Sequence, residues 1–241
     1  MQKYFYAFIL VITFQWPQLL MAATATTAAT AAPTASSVNI KGDPYEVVQQ
    51  TSQAVLDFVR KVSADYEKDP GSFNAQVLAI MDPVVDFDYF ARSVMGTYAS
   101  EARYNSLKTD AEKQAFKANV QRFSDMFKQG LVDTYGKYLF KFNGDKIETL
   151  PPRKGDNINS GQVAVMQNIK TGNNKPFVVQ YSMRKNKAGE WKLQNVIVEG
   201  INLGQTYRTQ FAQVADKYHG DLTAVINNWQ VTPQTALESA P

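Results

Sequence analysis

Few residues in this 241-residue chain have the types and spacing that chemistry needs. The single histidine, His219, precedes Gly220 near an expected helix end, where a solvated or capping imidazole is a simpler reading than a proton shuttle. Asp82, Asp86 and Asp88 place three carboxylates close together, the kind of oxygen set a hard cation takes. However, Asp82 precedes Pro83 and Asp86 stands where a helix should begin, so capping explains them without a metal. Glu199 could act as a general base only if burial raised its pKa. Gly200 and Gly204 match neither a GxGxxG nor a Walker pattern, so no phosphate-cradling loop is expected. Cysteine is absent, which excludes disulfides, thiolate metal sites, cysteine nucleophiles and cysteine-linked lipid anchors.

Charge offers one feature. Between Arg153 and Lys192 lie Arg153, Lys154, Lys170, Lys175, Arg184, Lys185, Lys187 and Lys192, against only Asp156 and Glu190. A solvated sheet face with edge-guarding lysines accounts for this, and docking of an acidic partner or anionic headgroup is the alternative. The net charge of +3 is too small to argue for nucleic-acid binding.

With so little convergent polar chemistry, the apolar pattern carries the information, and it begins after the N-terminus. Residues 1–25 combine Lys3, an apolar run broken by Gln15, Pro17 and Gln18, and Ala23-Thr24-Ala25, which reads as a secretory signal peptide cleaved after Ala25, with Ala22 or Ala23 as alternative sites. Residues 26–42 begin as an Ala/Thr-rich stretch and read as a flexible leader, 43–230 as one domain, and 231–241 as a disordered tail. Asp43-Pro44 opens a helix whose stripe runs through Val47, Val48, Val55, Phe58, Val59 and Val62 to about Tyr66. Asp69-Pro70-Gly71 starts a second helix that Asp82-Pro83 stops. A third spans about Asp86 to Met95, with Gly96 as its end signal. The Thr109-x-x-Glu112 capping box opens the longest periodic segment, Phe116 through Leu139, with a bend or break expected near Gly130 or Gly136.

From Lys146 onward the pattern switches to strands: 146–150, 162–171, 175–185 and 191–198, with hairpin turns at 171–174 and 186–189. Helices followed by an antiparallel meander make an α+β layout. Trp191, Leu193, Val196, Ile197 and Val198 look apolar on both strand faces, and the chain then enters a helix carrying Tyr207 and Phe211 on one face. A short helix over 221–229 ends the pattern. Periodicity leaves open whether these groups fill a core or line a cavity.

Three segments together resemble one family. They are Val85-Asp86-Phe87-x-x-x-Ala91-Arg92-x-Val94-Met95-Gly96-x-Tyr98, the helix from Thr109 to Phe123, and Trp191 to Phe211 with Glu199-Gly200 and Tyr207-Arg208-x-x-Phe211. In order and spacing they resemble the MlaC, or toluene-tolerance, family of periplasmic phospholipid-binding proteins. Ala99 and Asn195 depart from that pattern, where an aromatic and an aspartate are frequent.

The resemblance implies an NTF2-like curved antiparallel sheet of about four strands, packed with helices around an apolar cavity for phospholipid tails. Phe87, Phe90, Val94, Met95, Phe123, Phe127, Leu131, Tyr135, Val179, Tyr181, Val196, Val198, Ile201 and Phe211 would line it. It further implies a monomeric, non-enzymatic periplasmic carrier that needs no cofactor beyond its phospholipid ligand. Its partners would be an inner-membrane ATP-binding cassette transporter with MCE domains and an outer-membrane lipoprotein complex, with no nucleic acid involved. Gly200 and Gly204 would be points where a lid opens. The alternative is an NTF2-like enzyme acting on a hydrophobic small molecule, with Glu199 as its base.

Overall fold

The computed structural model describes residues 38–62, 68–141, 146–170 and 176–232. The expected signal peptide, most of the leader, the 171–174 turn and residues 233–241 lie outside them. Seven helices, α1 (Pro44–Val62), α2 (Pro70–Met81), α3 (Phe87–Met95), α4 (Glu101–Ser106), α5 (Asp110–Lys141), α6 (Leu203–Lys217) and α7 (Leu222–Asn228), occupy the described residues. Five strands, β1 (Lys146–Thr149), β2 (Gln162–Lys170), β3 (Phe177–Lys185), β4 (Trp191–Val198) and β5 (Ile201–Asn202), form one antiparallel sheet in sequence order. The α+β layout is therefore as expected, with a two-residue fifth strand added.

Local chemistry sets the helix starts. Asp69, Asp86 and Asp221 each accept backbone N–H groups at the starts of α2, α3 and α7, the last from both Thr223 and Ala224. At α5 the capping box is reciprocal: Glu112 N–H donates to Thr109 Oγ1 at 3.1 Å, and Thr109 N–H donates to Glu112 Oε2 at 2.8 Å. Sequence periodicity does not reveal α4, which is a single short helix capped by Ser100 Oγ. Nor do Gly130 and Gly136 break α5. Each permits a close approach instead: a Cβ at Gly130 would lie 2.8 Å from Val231 Cγ2, and one at Gly136 would collide with the Asn74 carboxamide.

One irregularity governs the sheet. Ser182 pairs with Asn195, but the next residue, Met183, pairs with Leu193, which leaves Gln194 as an extra residue in β4. Side-chain parity inverts across that bulge. Trp191 and Leu193 on one side, and Val196 and Val198 on the other, consequently all face the helices, in line with Met183, Tyr181 and Val179. The strand that reads as apolar on both faces is thus apolar chiefly on one, with Lys192, Asn195 and Ile197 on the other. Gln194 Nε2 donates to Asp86 Oδ2 at 3.3 Å, tying the bulge to the start of α3.

Three apolar clusters occur among the described residues, two between sheet and helices and one among helices alone. The largest joins α3, α5, α6 and α7 to Ile169, Val179 and Val198 of the sheet. A second gathers Tyr45, Val47, Val85 and Phe87 over Val165, Met183, Trp191 and Leu193. The third joins α1, α2 and α5 through Phe58, Phe73, Val77 and Val132.

Candidate functional site

The polar candidates do not converge. Asp86 caps α3, Asp82 pairs with Lys128, and Asp88 accepts a hydrogen bond from the Ser124 hydroxyl. No group of three or more potential metal ligands occurs among the described residues. His219 is exposed at φ 51° in the turn between α6 and α7. Glu199 is exposed as well, at φ 48° in the tight β4–β5 turn, where it accepts the Val178 N–H. It is not the buried carboxylate that proton-transfer chemistry in an apolar pocket requires. Of the basic groups, Arg153 pairs with Asp156 at 3.5 Å, Lys192 donates to the Pro83 carbonyl at 2.6 Å, and Lys185 lies 4.9 Å from the Trp191 ring centre. Lys175 lies outside the described residues.

The interior facing the sheet divides in two. Its first part is an aromatic cluster in which Phe123, Phe127, Tyr207 and Phe211 have no accessible surface. Phe123 meets Phe211 edge-on at 4.9 Å and Trp229 at 5.1 Å, and Phe127 meets Phe90 at 5.2 Å and Tyr207 at 5.6 Å. Such offset contacts are the favoured ring geometries. The second part is a set of half-buried apolar groups packed against that cluster: Leu131, Tyr135, Ile147, Phe177, Tyr181 and Val196. Leu131, Tyr181 and Val196 also touch the second cluster, so they stand at the junction of the two.

Tyr181 is at mid-strand in β3, between Val165 of β2 and Val196 of β4. Burial pushes its phenol up to about 12, with the neighbouring Ser52 hydroxyl acting in the opposite direction. Its side of the interior holds a short polar chain. Ser52 Oγ donates to Gln167 Oε1 at 3.0 Å, and Gln167 Nε2 donates to Thr149 Oγ1 at 3.0 Å. Gln167 has 0% exposure, an amide satisfied by protein partners in apolar surroundings.

Of the residues expected to line a cavity, Phe90, Val94, Met95, Phe123, Phe127, Phe211, Val179 and Val198 are brought together as buried members of the largest cluster. Phe87 lies apart, buried in the second. Leu131, Tyr135, Tyr181 and Val196 are the half-buried ones. Ile201 is not brought to the others: it is 37% exposed on β5 at the sheet edge. Tyr207 and Trp229, which close the aromatic cluster, and Ile147, Phe177, Ser52 and Gln167 complete the picture. Gln167 carried a legible signal, since in Val163-x-Val165-x-Gln167-x-Ile169 it occupies an inward position.

Gly200 and Gly204 each have a local structural reason. A Cβ at Gly204 would lie 2.7 Å from Asn195 Oδ1 and 3.3 Å from the Phe90 ring, so Gly204 lets α6 sit close on β4. Gly200, at φ 83°, follows Glu199 as the second left-handed residue of the β4–β5 turn. Two surface depressions of about 400 Å³ lie elsewhere. One is on the sheet beside Tyr89, with Gln162, Ser182, Arg184 and Asn195, and the other runs along α6 with Gln205, Thr209 and Gln213. Amides and hydroxyls dominate the second, an unfavourable lining for hydrocarbon, whereas the first also takes in Val163, Ala164 and Met183.

A five-stranded antiparallel meander covered on one face by helices, with an interior part solid and part half-buried, is an α+β architecture that comparison with known proteins makes specific. Residues 49–231 match the family described as MlaC protein. The chain is 34% identical over 187 residues to the toluene tolerance protein ttg2D of Pseudomonas putida, covering 77% of this chain and 79% of that one. It is 24% identical over 163 residues to the intermembrane phospholipid transport system binding protein MlaC of Haemophilus influenzae, covering 66% and 69%. A phospholipid-binding protein from Ralstonia solanacearum, solved in complex with a phospholipid, shares the fold with a TM-score of 0.63 at 21% identity, over 77% of this chain and 94% of that one. This chain belongs to the MlaC family.

Proposed function

We propose that the protein is an exported phospholipid carrier whose acyl-chain wall is the half-buried set on the sheet side and the adjoining turns of α5. Tyr181 is the observation that carries this reading. It keeps accessible surface although it lies at mid-strand, packed against both apolar clusters beneath the helices. A central strand position that its neighbours leave partly uncovered has room beside it for an apolar ligand. Leu131, Tyr135, Phe177 and Val196, each apolar or largely so, share that environment. The aromatic cluster formed by Phe90, Phe123, Phe127 and Phe211 backs the wall and keeps it rigid.

The physical need for such an interior is large. At about 0.8 kcal/mol per methylene, two chains with roughly thirty methylenes in total cost about 24 kcal/mol to hold in water. A carrier must therefore enclose them, and it needs no reacting groups to do so. None of the described helices is long and apolar enough to cross a membrane. In this reading, cleavage after Ala25 releases a periplasmic protein with a leader to residue 42 and a lipid-holding domain over 43–230. It collects or delivers phospholipid at an inner-membrane ATP-binding cassette transporter with MCE domains and at an outer-membrane lipoprotein complex. The two relatives, one named for phospholipid transport and one for toluene tolerance, support this placement.

Mass spectrometry of lipid extracted from the purified mature protein tests the reading, together with uptake of labelled phosphatidylethanolamine from vesicles. Phospholipid should co-purify at a fixed ratio. A protein that carries none and takes up none is not a carrier.

A further inference from the structure

After α7 the chain crosses back over two helices, at the level where the aromatic cluster gives way to the half-buried wall. Trp229 is firmly held there: it is 3% exposed, and its ring meets Phe123 at 5.1 Å, Phe127 at 5.9 Å and Tyr207 at 6.1 Å. The next three residues are held more lightly. Val231 is half-buried and sits on α5 at Gly130, where a Cβ would lie 2.8 Å from its Cγ2, while Gln230 and Thr232 are exposed. Thr134 Oγ1 of α5 donates to the Val231 carbonyl at 3.4 Å, and the Tyr207 hydroxyl of α6 donates to the Thr232 carbonyl at 3.3 Å. Thr232 Oγ1 donates to Gln210 Oε1 at 3.1 Å. Residues 230–232 thus strap α5 to α6 through hydroxyl bonds longer than the usual range, which water can replace at little cost.

The strap is also joined to the wall. A phenol has one proton, and with that of Tyr207 on the Thr232 carbonyl, Tyr135 donates to Tyr207 in the hydroxyl pair that links α5 to α6. Tyr207 has no accessible surface, so the strap lies over its hydroxyl. Leu131 and Tyr135 of the half-buried set directly follow Gly130 and Thr134, the two α5 residues that the strap touches. Resting on the carrier reading above, we infer that residues 230–232 are a releasable latch over the α5–α6 seam, and that phospholipid enters and leaves through this seam when the latch lifts about Trp229. Lifting takes the Thr232 carbonyl from Tyr207 and Val231 from Gly130. The Tyr135–Tyr207 pair is then free to part, which opens the wall beside Leu131, while the ring contacts of Trp229 keep the hinge in place.

The chain contains no cysteine, so a cross-link can be placed without interference. In the mature full-length protein, Gln210→Cys with Thr232→Cys allows the strap to be tied to α6 by a short bis-methanethiosulfonate, which dithiothreitol removes. Uptake of labelled phosphatidylethanolamine from vesicles should be lost in the bridged protein and return on reduction. Gly130→Ala reads the opposite sign without any bridge: its methyl group displaces Val231, so uptake and release should both quicken, although alanine is the better helix former. A bridged protein that takes up lipid as fast as its reduced form, or a Gly130→Ala protein that exchanges lipid no faster than wild type, overturns the latch and leaves the carrier reading intact. No uptake by wild type removes the carrier reading, and the latch falls with it.

Discussion

One face of α5 passes through two environments. Phe123 and Phe127 have no accessible surface, whereas Leu131 and Tyr135, on the next two turns of the same stripe, are half-buried. The sheet repeats the contrast, for Val179 and Val198 are buried beside the half-buried Tyr181 and Val196. A helical or strand period reports which way a side chain points. It does not report whether the facing volume is filled by other side chains, and that depends on what distant segments deliver. Near Phe123 they deliver Trp229 and Phe211.

The contrast is tested most strongly at Phe127. Phe127→Ala empties a close-packed site and should lower stability by about 3–5 kcal/mol, read from urea unfolding. The folded fraction should still take up phospholipid, because the loss falls in the backing cluster. A cost below about 1 kcal/mol would mean that this cluster is not solid.

Val196→Phe should behave in the opposite way. Enlarging a side chain in a filled core typically costs about 1–3 kcal/mol, whereas at a half-filled position the cost should be under about 1 kcal/mol while lipid uptake drops sharply. Strong destabilisation together with normal uptake would move Val196 from wall to core.

The smallest expected effect is on pH dependence. Asp156 is held below the usual carboxylate range, first by the Arg153 backbone N–H and then by the Tyr45 hydroxyl. Because its folded pKa is lowered, the stability it contributes is present above its unfolded pKa and fades as pH falls through the folded one. Tyr45 is pushed the other way, up to about 12, by burial and by Asp156. Its contribution is whole below its ordinary pKa of about 10 and is lost as pH rises towards 12. Protection of the amides at the start of α1, measured against their intrinsic exchange rates, should therefore fall at both extremes, while the amides around Phe123 stay protected. Uniform loosening would deny the two regions separate stabilities.

Much of this was legible in the sequence, for identifiable reasons. Asp69, Asp86 and Thr109-x-x-Glu112 act through neighbours three residues away, so the starts of α2, α3 and α5 follow from local chemistry. The inward face of β4 was not legible, because the bulge at Gln194 depends on pairing with β3. Gly130 and Gly136 suggest a bend by type alone, but α5 runs through both, and the neighbours that call for glycine there, Val231 and Asn74, are remote in sequence. Ile201 looked like lining by its type alone, but the turn at Glu199-Gly200 carries it to the sheet edge. Val231 and Thr232, expected in the tail, are held against Gly130 and Gln210.

The extra residue in β4 works as a reading-frame correction written into the backbone. Upstream of Gln194 the odd-numbered positions face inward, and downstream the even-numbered ones do. Deleting Gln194 alone would leave Leu193 opposite Met183 and Val196 opposite Tyr181, so the inward set of β4 would keep its partners in a regular ladder. What such a deletion would remove is the local bend and the hydrogen bond from Gln194 to Asp86, and with them the tie between mid-sheet and the start of α3.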